Sequence, residues 1–314
     1  MPFDFDAAVN APFRMQPGLR RIAPGADQLT PNAPGDRALV EKLAVLRGHA
    51  SQALIAMPGF DATPAVQKLA AHAATEQRGA FAWDGDLGFV ADRLGWSLQG
   101  DAVHGHGPAE IGACLRALPP AWRLPALLCL AFAEDFAVLD AATSRIPWLA
   151  VCLPSHWAPE DKLGRHFAEV HAPVADNRLL IAAGDHLARL VTGAEHWERF
   201  VWTLTPQPRL DGHPRRSIHG GWPPDLGADA LAARAFFRTE RQTFIPVAAQ
   251  RQAVFTIHVE SAPLAAALAT REQATRLHDA LASMSAAVLR YRGLEDAQGR
   301  LLQWLAAEAR RLPA

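Results

Sequence analysis

The stretch from Leu130 to Val174, LAFAEDFAVLDAATSRIPWLAVCLPSHWAPEDKLGRHFAEVHAPV, constrains the fold more than any other part of the chain. It reads as strand, turn, strand, a Pro-Ser corner and then a helix, so it fixes both a sheet and an element packed on it. Pro159, with Glu160 and Asp161 behind it, marks a helix start, because the missing proline N–H would go unused there and the acids complement the helix dipole. Leu163, Phe167 and Val170 then recur at i, i+4 and i+7, which predicts a helix from Pro159 to His171 with one apolar stripe. His171 lies on the apolar side of that helix. Two readings are open for it: a core histidine bonded to a carbonyl, or a ligand for a bound group.

Three further stretches carry a period of two. In Phe236 to Ile245 (FFRTERQTFI), Arg238, Glu240 and Gln242 fall on one face and Thr239, Arg241 and Thr243 on the other. So much charge in a strand is either a ladder on an exposed sheet face or a polar row over a ligand. Gln252 to Glu260 places Phe255, Ile257 and Val259 on one side, and Thr256 and His258 on the other. His196 to Thr205 separates Trp197, Arg199, Val201 and Thr203 from Glu198, Phe200, Trp202 and Leu204. Upstream, Ala126 to Asp140 is a long apolar run broken by Glu134 and Asp135, read as a β-hairpin or bulged strand pair. As a strand it sends the two acids to opposite faces, so only one of them can enter a pocket. A buried carboxylate needs a partner, which leaves Glu134 as half of an ion pair or as a polar group in a ligand pocket.

The remainder reads as helices and loops. Residues 1 to about 35 form an irregular arm. Leucine spacing predicts helices from Asp36 to Leu46 and Pro64 to Glu76, then two short ones between Asp84 and Leu118, separated by the loop GDAVHGHGP. His104 and His106 in that loop have a possible metal-ligand spacing but no third ligand nearby. Asn177 to Val191 reads as a helix. Pro206 to Pro224, which holds His213 and His219, has no period and many breakers; loops of that length are often functional. Helices close the chain over about 262 to 312. The expected class is α+β: an antiparallel sheet with flanking helices, in a single domain spanning 1–314.

Composition narrows the function. Among 314 residues, 31 basic and 32 acidic side chains leave a net charge of −1, so no basic field exists to hold a nucleic acid or an anionic membrane. No apolar run is long enough to span a bilayer, and the acidic N-terminus does not resemble a signal peptide, which predicts a cytoplasmic protein. Cys114, Cys129 and Cys152 are too widely spaced for a disulfide framework or a CxxC site and read as small core residues. No GxGxxG motif opens a βαβ unit, and no cluster-ligating cysteine set is present.

Several segments together carry a resemblance. Glu134 to Phe136, CLPSHW at Cys152 to Trp157, Lys162 to Gly164, VHAPV at Val170 to Val174, RTERQTF at Arg238 to Phe244, the strand QAVFTIHVESAPL, YRGL at Tyr291 to Leu294 and PFRMQPGL near the start occur in the order seen in the haem-dependent oxidative N-demethylase family. The resemblance spans most of the chain and implies a PAS-like β-sheet scaffold holding b-type haem, which the absence of CxxCH makes non-covalent. It further implies oxidation of a small methylated amine by O2, with electrons from NAD(P)H delivered by separate flavin and iron–sulfur reductase proteins. His171 is then the expected iron ligand, with His156 and His258 as rivals. Lys162, Arg241 and His258 are expected around the cofactor, an arginine reaching a propionate, and Glu134, Arg238 and Glu240 are the expected catalytic set. Departures exist: Ala175 stands where the family has proline, and the loop 206–224 is atypical. The alternatives are a haem- or ligand-binding PAS-like sensor without turnover, and a scaffold that has lost haem.

Overall fold

The period-two segments do form strands, and they assemble around the charged one. The computed structural model describes residues 3–172, 175, 178–216 and 220–313; the side chains of His171, Leu179 and Leu180 also lie outside the description, as do Val174 and His219. In chain order the strands are β1 (Arg20–Arg21), β2 (Leu54–Ala56), β3 (Phe81–Trp83), β4 (Gly88–Ala91), β5 (Trp96–Gln99), β6 (Ala102–Gly105), β7 (Asp135–Asp140), β8 (Arg145–Ala150), β9 (Trp197–Thr205), β10 (Phe236–Val247) and β11 (Gln252–Pro263). Among the described residues they make a 7-stranded antiparallel sheet in the order β1-β9-β10-β11-β7-β8-β2 and a 4-stranded meander β3-β4-β5-β6. The charged strand β10 is thus central, between β9 and β11, and the class is α+β.

The two largest apolar clusters among the described residues use this sheet. One joins Phe136, Val138, Trp148 and Ile245 to the helices Arg37–Ala53, Thr63–Glu76 and Pro120–Ala131. The other joins Trp202, Leu204 and Phe237 to the C-terminal helices Arg271–Ala282, Ala286–Tyr291 and Gln298–Arg311. Strand β10 contributes Phe237 to one cluster and Ile245 to the other. No helix among the described residues is long and apolar enough to cross a membrane.

Several expectations are corrected. Residues 81–105, where one short helix was expected, form the meander, and His104 lies in β6 opposite Ser97 rather than in a loop. The first half of the expected hairpin at 126–140 is the end of the helix Pro120–Ala131, and only Asp135–Asp140 is strand. That helix buries every residue from Pro125 to Ala131, so its sequence lacks the polar face that would reveal a helical period. The first helix continues past Gly48 to Ala53, with non-helical dihedrals at His49. The expected helix Pro159–His171 is broken into a 3-10 turn, Pro159–Asp161, and a short helix, Phe167–His171. Asn177 lies outside the described residues, and the helix expected from it appears as Arg178–Ala182 and Gly184–Val191.

Candidate functional site

Alternation along the sheet creates the site. Arg199, Val201 and Thr203 of β9 lie beside Gln242, Glu240 and Arg238 of β10, and these side chains share one face. All six line a cavity of about 620 Å³. The same face continues through Phe244, Phe255, Ile257 and Ala137, and the Phe244 and Phe255 rings stack with centroids 4.9 Å apart. The far wall comes from the corner Ser155–Trp157, from Lys162, Phe167 and Val170, and from Tyr291. The floor is thus largely apolar and carries a polar row, the usual make-up of a small-molecule or cofactor site, and the volume lies within the range of roughly 300–1,000 Å³ common to such sites.

The two ends of the row behave differently. Arg238 is 2% exposed, and its guanidinium serves as a clamp. It donates to Ser155 Oγ at 2.8 Å, to the carbonyls of Arg209 at 2.8 Å and Leu210 at 2.6 Å, and more weakly to that of Pro154 at 3.3 Å. This ties β10 to the Pro-Ser corner and to the loop after β9, and leaves Arg238 little to offer a ligand. Gly212 packs on the same corner, donating its N–H to Pro154 O at 2.9 Å; a Cβ there would sit 2.8 Å from that oxygen. Arg199, by contrast, makes no hydrogen bond or ion pair among the described residues, and its Nε is buried without a partner. Glu240 accepts from Gln242 Nε2.

Electrostatics sharpen the contrast. Burial pushes Arg199 below its ordinary value, with Glu240 opposing the shift. Burial likewise lowers Arg238, and it takes Arg292 down to about 10. Lys162 is lowered by burial against the favourable charge of Asp161, and its ammonium donates to Val170 O at 3.1 Å. These shifts share one cause: cations have been removed from water around a cavity that supplies little negative charge in return.

The expected site residues divide by face. Arg238, Glu240 and Lys162 line the cavity, and so does His156, at φ 60 in the left-handed region that few non-glycine residues occupy. Glu134, Arg241 and His258 do not line it. Arg241 points to the opposite face, where it pairs with Glu198 at 2.8 Å and donates to Asp27 O. His258 faces the same way and pairs with Glu134 at 3.2 Å, while Glu134 also accepts from Thr30 N at 2.9 Å. Arg241 and His258, expected beside a cofactor, and Glu134, expected in a pocket, therefore lie away from this cavity: odd and even positions of a strand face apart, and each of these groups finds a protein partner on the other face. His171 ends the short helix directly after the cavity-lining Val170; its side chain lies outside the described residues. His213, in the long loop, is fully buried and donates from Nε2 to Glu160 at 3.1 Å, which pins the loop to the 3-10 turn.

Sequence reasoning missed two features. Arg199 was placed on the correct face of β9 but not singled out, although a charge on a strand face with Val201 and Thr203 was the available signal. The other is a cluster of Cys129, Asp135 and Cys152, whose potential ligand atoms lie within 4.8 Å of one another, all buried. The Lys42 ammonium already holds Asp135 at 3.1 Å, and the carbonyls of Phe132 and Glu134 complete its shell. The Cys152 thiol is raised well above its ordinary value by its hydrogen bond with Cys129 and by burial, which opposes the thiolate a metal would need. The cluster therefore reads as a buried polar knot tying the helix Arg37–Ala53 to β7.

Comparison with known proteins gives one family. A family model described as haem-dependent oxidative N-demethylase, alpha subunit-like, matches residues 123–302. The matched region contains β7 to β11, the corner, the short helix and Tyr291, and hence most of the cavity wall. No curated protein matches the chain.

Proposed function

The chain belongs to the family of haem-dependent oxidative N-demethylase alpha-subunit-like proteins, and from that premise we propose that its cavity holds one non-covalent b-type haem and oxidises a small methylated amine. The observation that carries the proposal is the cavity itself: an apolar floor of stacked phenylalanines under a row that includes an arginine with an orphaned, buried Nε. A porphyrin is a flat apolar body with carboxylates at one edge, and both parts find complementary groups here. His171, next to a cavity-lining residue, is the proposed iron ligand, with His156 as its rival on the corner.

Haem would supply iron that binds and reduces O2. The overall change is a methylated amine, O2, two electrons and two protons giving the demethylated amine, formaldehyde and water. NAD(P)H, acting through separate flavin or iron–sulfur reductase proteins, is the proposed electron source. The chain's own part is positional. Phe244, Phe255 and Ile257 keep water from the floor, and Glu240 holds the protonated amine or takes its proton. Arg238 acts through the corner, fixing Ser155 and its neighbours above the floor.

The test supplies reductant, O2 and a panel of methylated amines to haem-loaded protein and measures formaldehyde. Amine-dependent formaldehyde is expected, and Glu240→Gln should lose at least roughly tenfold in turnover with its haem spectrum intact, the loss typical of a general acid–base or ion-pairing group. Reduced protein that binds O2 yet gives no amine-dependent formaldehyde would contradict the catalytic reading and favour a sensor.

A further inference from the structure

The basic residues around the cavity are Lys162, Arg199, Arg238, Arg290 and Arg292, and Glu240 is the carboxylate among the described lining residues. Such a wall attracts anions, and Glu240 balances only part of its charge. Most of these cations are engaged by the protein. Arg238 is bonded to the corner and loop, Arg290 pairs with Glu295 at 3.1 Å, and Lys162 donates to Val170 O. Arg292 donates to Trp202 O and stacks over the rings of Phe13 at 4.6 Å and Trp202 at 5.6 Å.

Arg199 is the exception. No hydrogen bond or ion pair reaches it among the described residues; its Nε, like that of Arg292, is buried without a partner, but Arg292 is held through its other nitrogens. A guanidinium whose Nε is buried without a partner is costly, and its planar fork matches a carboxylate bidentately. Its position is specific: it lies opposite Gln242 in the β9–β10 ladder, with Glu240 one alternation away on the same face. A ligand spanning the two would present a carboxylate to Arg199 and an ammonium to Glu240.

We propose that Arg199 is the carboxylate anchor of the cavity, receiving either a propionate of haem or the carboxylate of an N-methylated amino acid that is the substrate. This rests on the reading above for its choice of ligands but not for its test, which measures binding rather than turnover. The second source would define the substrate class as zwitterionic, with the methylated nitrogen held at Glu240.

The experiment compares wild type, Arg199→Gln and Arg199→Lys in two readouts. One is haem affinity, from titration of apo-protein followed at the Soret band. The other is the thermal shift of haem-loaded protein with N-methylglycine and N,N-dimethylglycine, set against dimethylamine. If a propionate is the partner, Arg199→Gln weakens haem binding by about tenfold or more, the loss expected for a charge-assisted hydrogen bond, and Arg199→Lys recovers part of it. If the substrate carboxylate is the partner, haem affinity is unchanged and the wild type is stabilised more by the amino acids than by dimethylamine. That preference then disappears in Arg199→Gln while the dimethylamine response stays. A folded Arg199→Gln variant with wild-type haem affinity and wild-type ligand shifts overturns the proposal. Failure of turnover with either binding effect present would count against the catalytic reading alone.

Discussion

Glu134 and Asp135 are adjacent, and the sheet separates them. Glu134 goes to His258 and Thr30 on one side, and Asp135 to Lys42 and the N–H of Leu153 at 2.6 Å on the other. That separation was legible from the period of a strand. The partners were not, because Lys42 and His258 belong to distant segments and nothing local announces a buried lysine. Burial by itself would lower His258, but the hydrogen bond and charge of Glu134 outweigh it, so His258 stands above its ordinary 6.5. Burial likewise tends to raise Glu134, and the hydrogen bond and charge of His258 outweigh that, so Glu134 stands below its ordinary 4.5. The histidine's contribution is therefore complete below its unfolded value and is lost as pH rises through the folded one. The carboxylate's is complete above its unfolded value and is lost as pH falls through the folded one. The pair is strongest between the two ordinary values. His258→Gln should thus cost about 1–3 kcal/mol near pH 6, read from urea unfolding, and clearly less near pH 9. An equal cost at both would contradict the assignment.

Elements repeat the lesson on a longer scale. Leu163, Phe167 and Val170 have helical spacing, yet the chain between them is pulled out against β8: Gly164 N donates to Ile146 O at 2.8 Å, and His166 bridges Arg145. The spacing survives because both halves are half-buried for different reasons. Leu163 packs near Leu149 and Val151, while Phe167 and Val170 face the cavity from a new helix capped reciprocally by His166 and Glu169. The break needs Gly164, at φ 69, where a Cβ would meet Met57 Sδ at 3.2 Å. Gly164→Ala should lower stability by about 1–2 kcal/mol and Gly164→Asn by less, because asparagine tolerates the left-handed region. Melting temperatures of the two variants check this, and an alanine variant as stable as wild type would contradict it. The meander β3–β6 escaped prediction for a related reason: its strands are three or four residues long, too short for alternation to compete with the chance helical spacing of Leu87, Val90 and Leu94.

At the scale of the molecule, one sheet serves two purposes. Its far face is closed by cross-sheet ion pairs, while its near face exposes Val201, Glu240 and Phe244 to the cavity. The charged face of β10 could be read from the sequence, since alternation separated Arg238 and Glu240 from Arg241. Which charge on that face remains available for a ligand could not, because that depends on the corner and loop that fold over Arg238 and, among the described residues, leave Arg199 without a hydrogen bond. The central claim is that this near face is where haem sits. Titration of haem into apo-protein, followed at the Soret band, tests it when the wild type is compared with Val201→Trp, which adds bulk to the floor beside Glu240 and keeps every histidine in the sequence. One equivalent should bind to the wild type, and the folded variant should show little or no Soret change. Equal haem binding by a folded Val201→Trp protein would contradict the account.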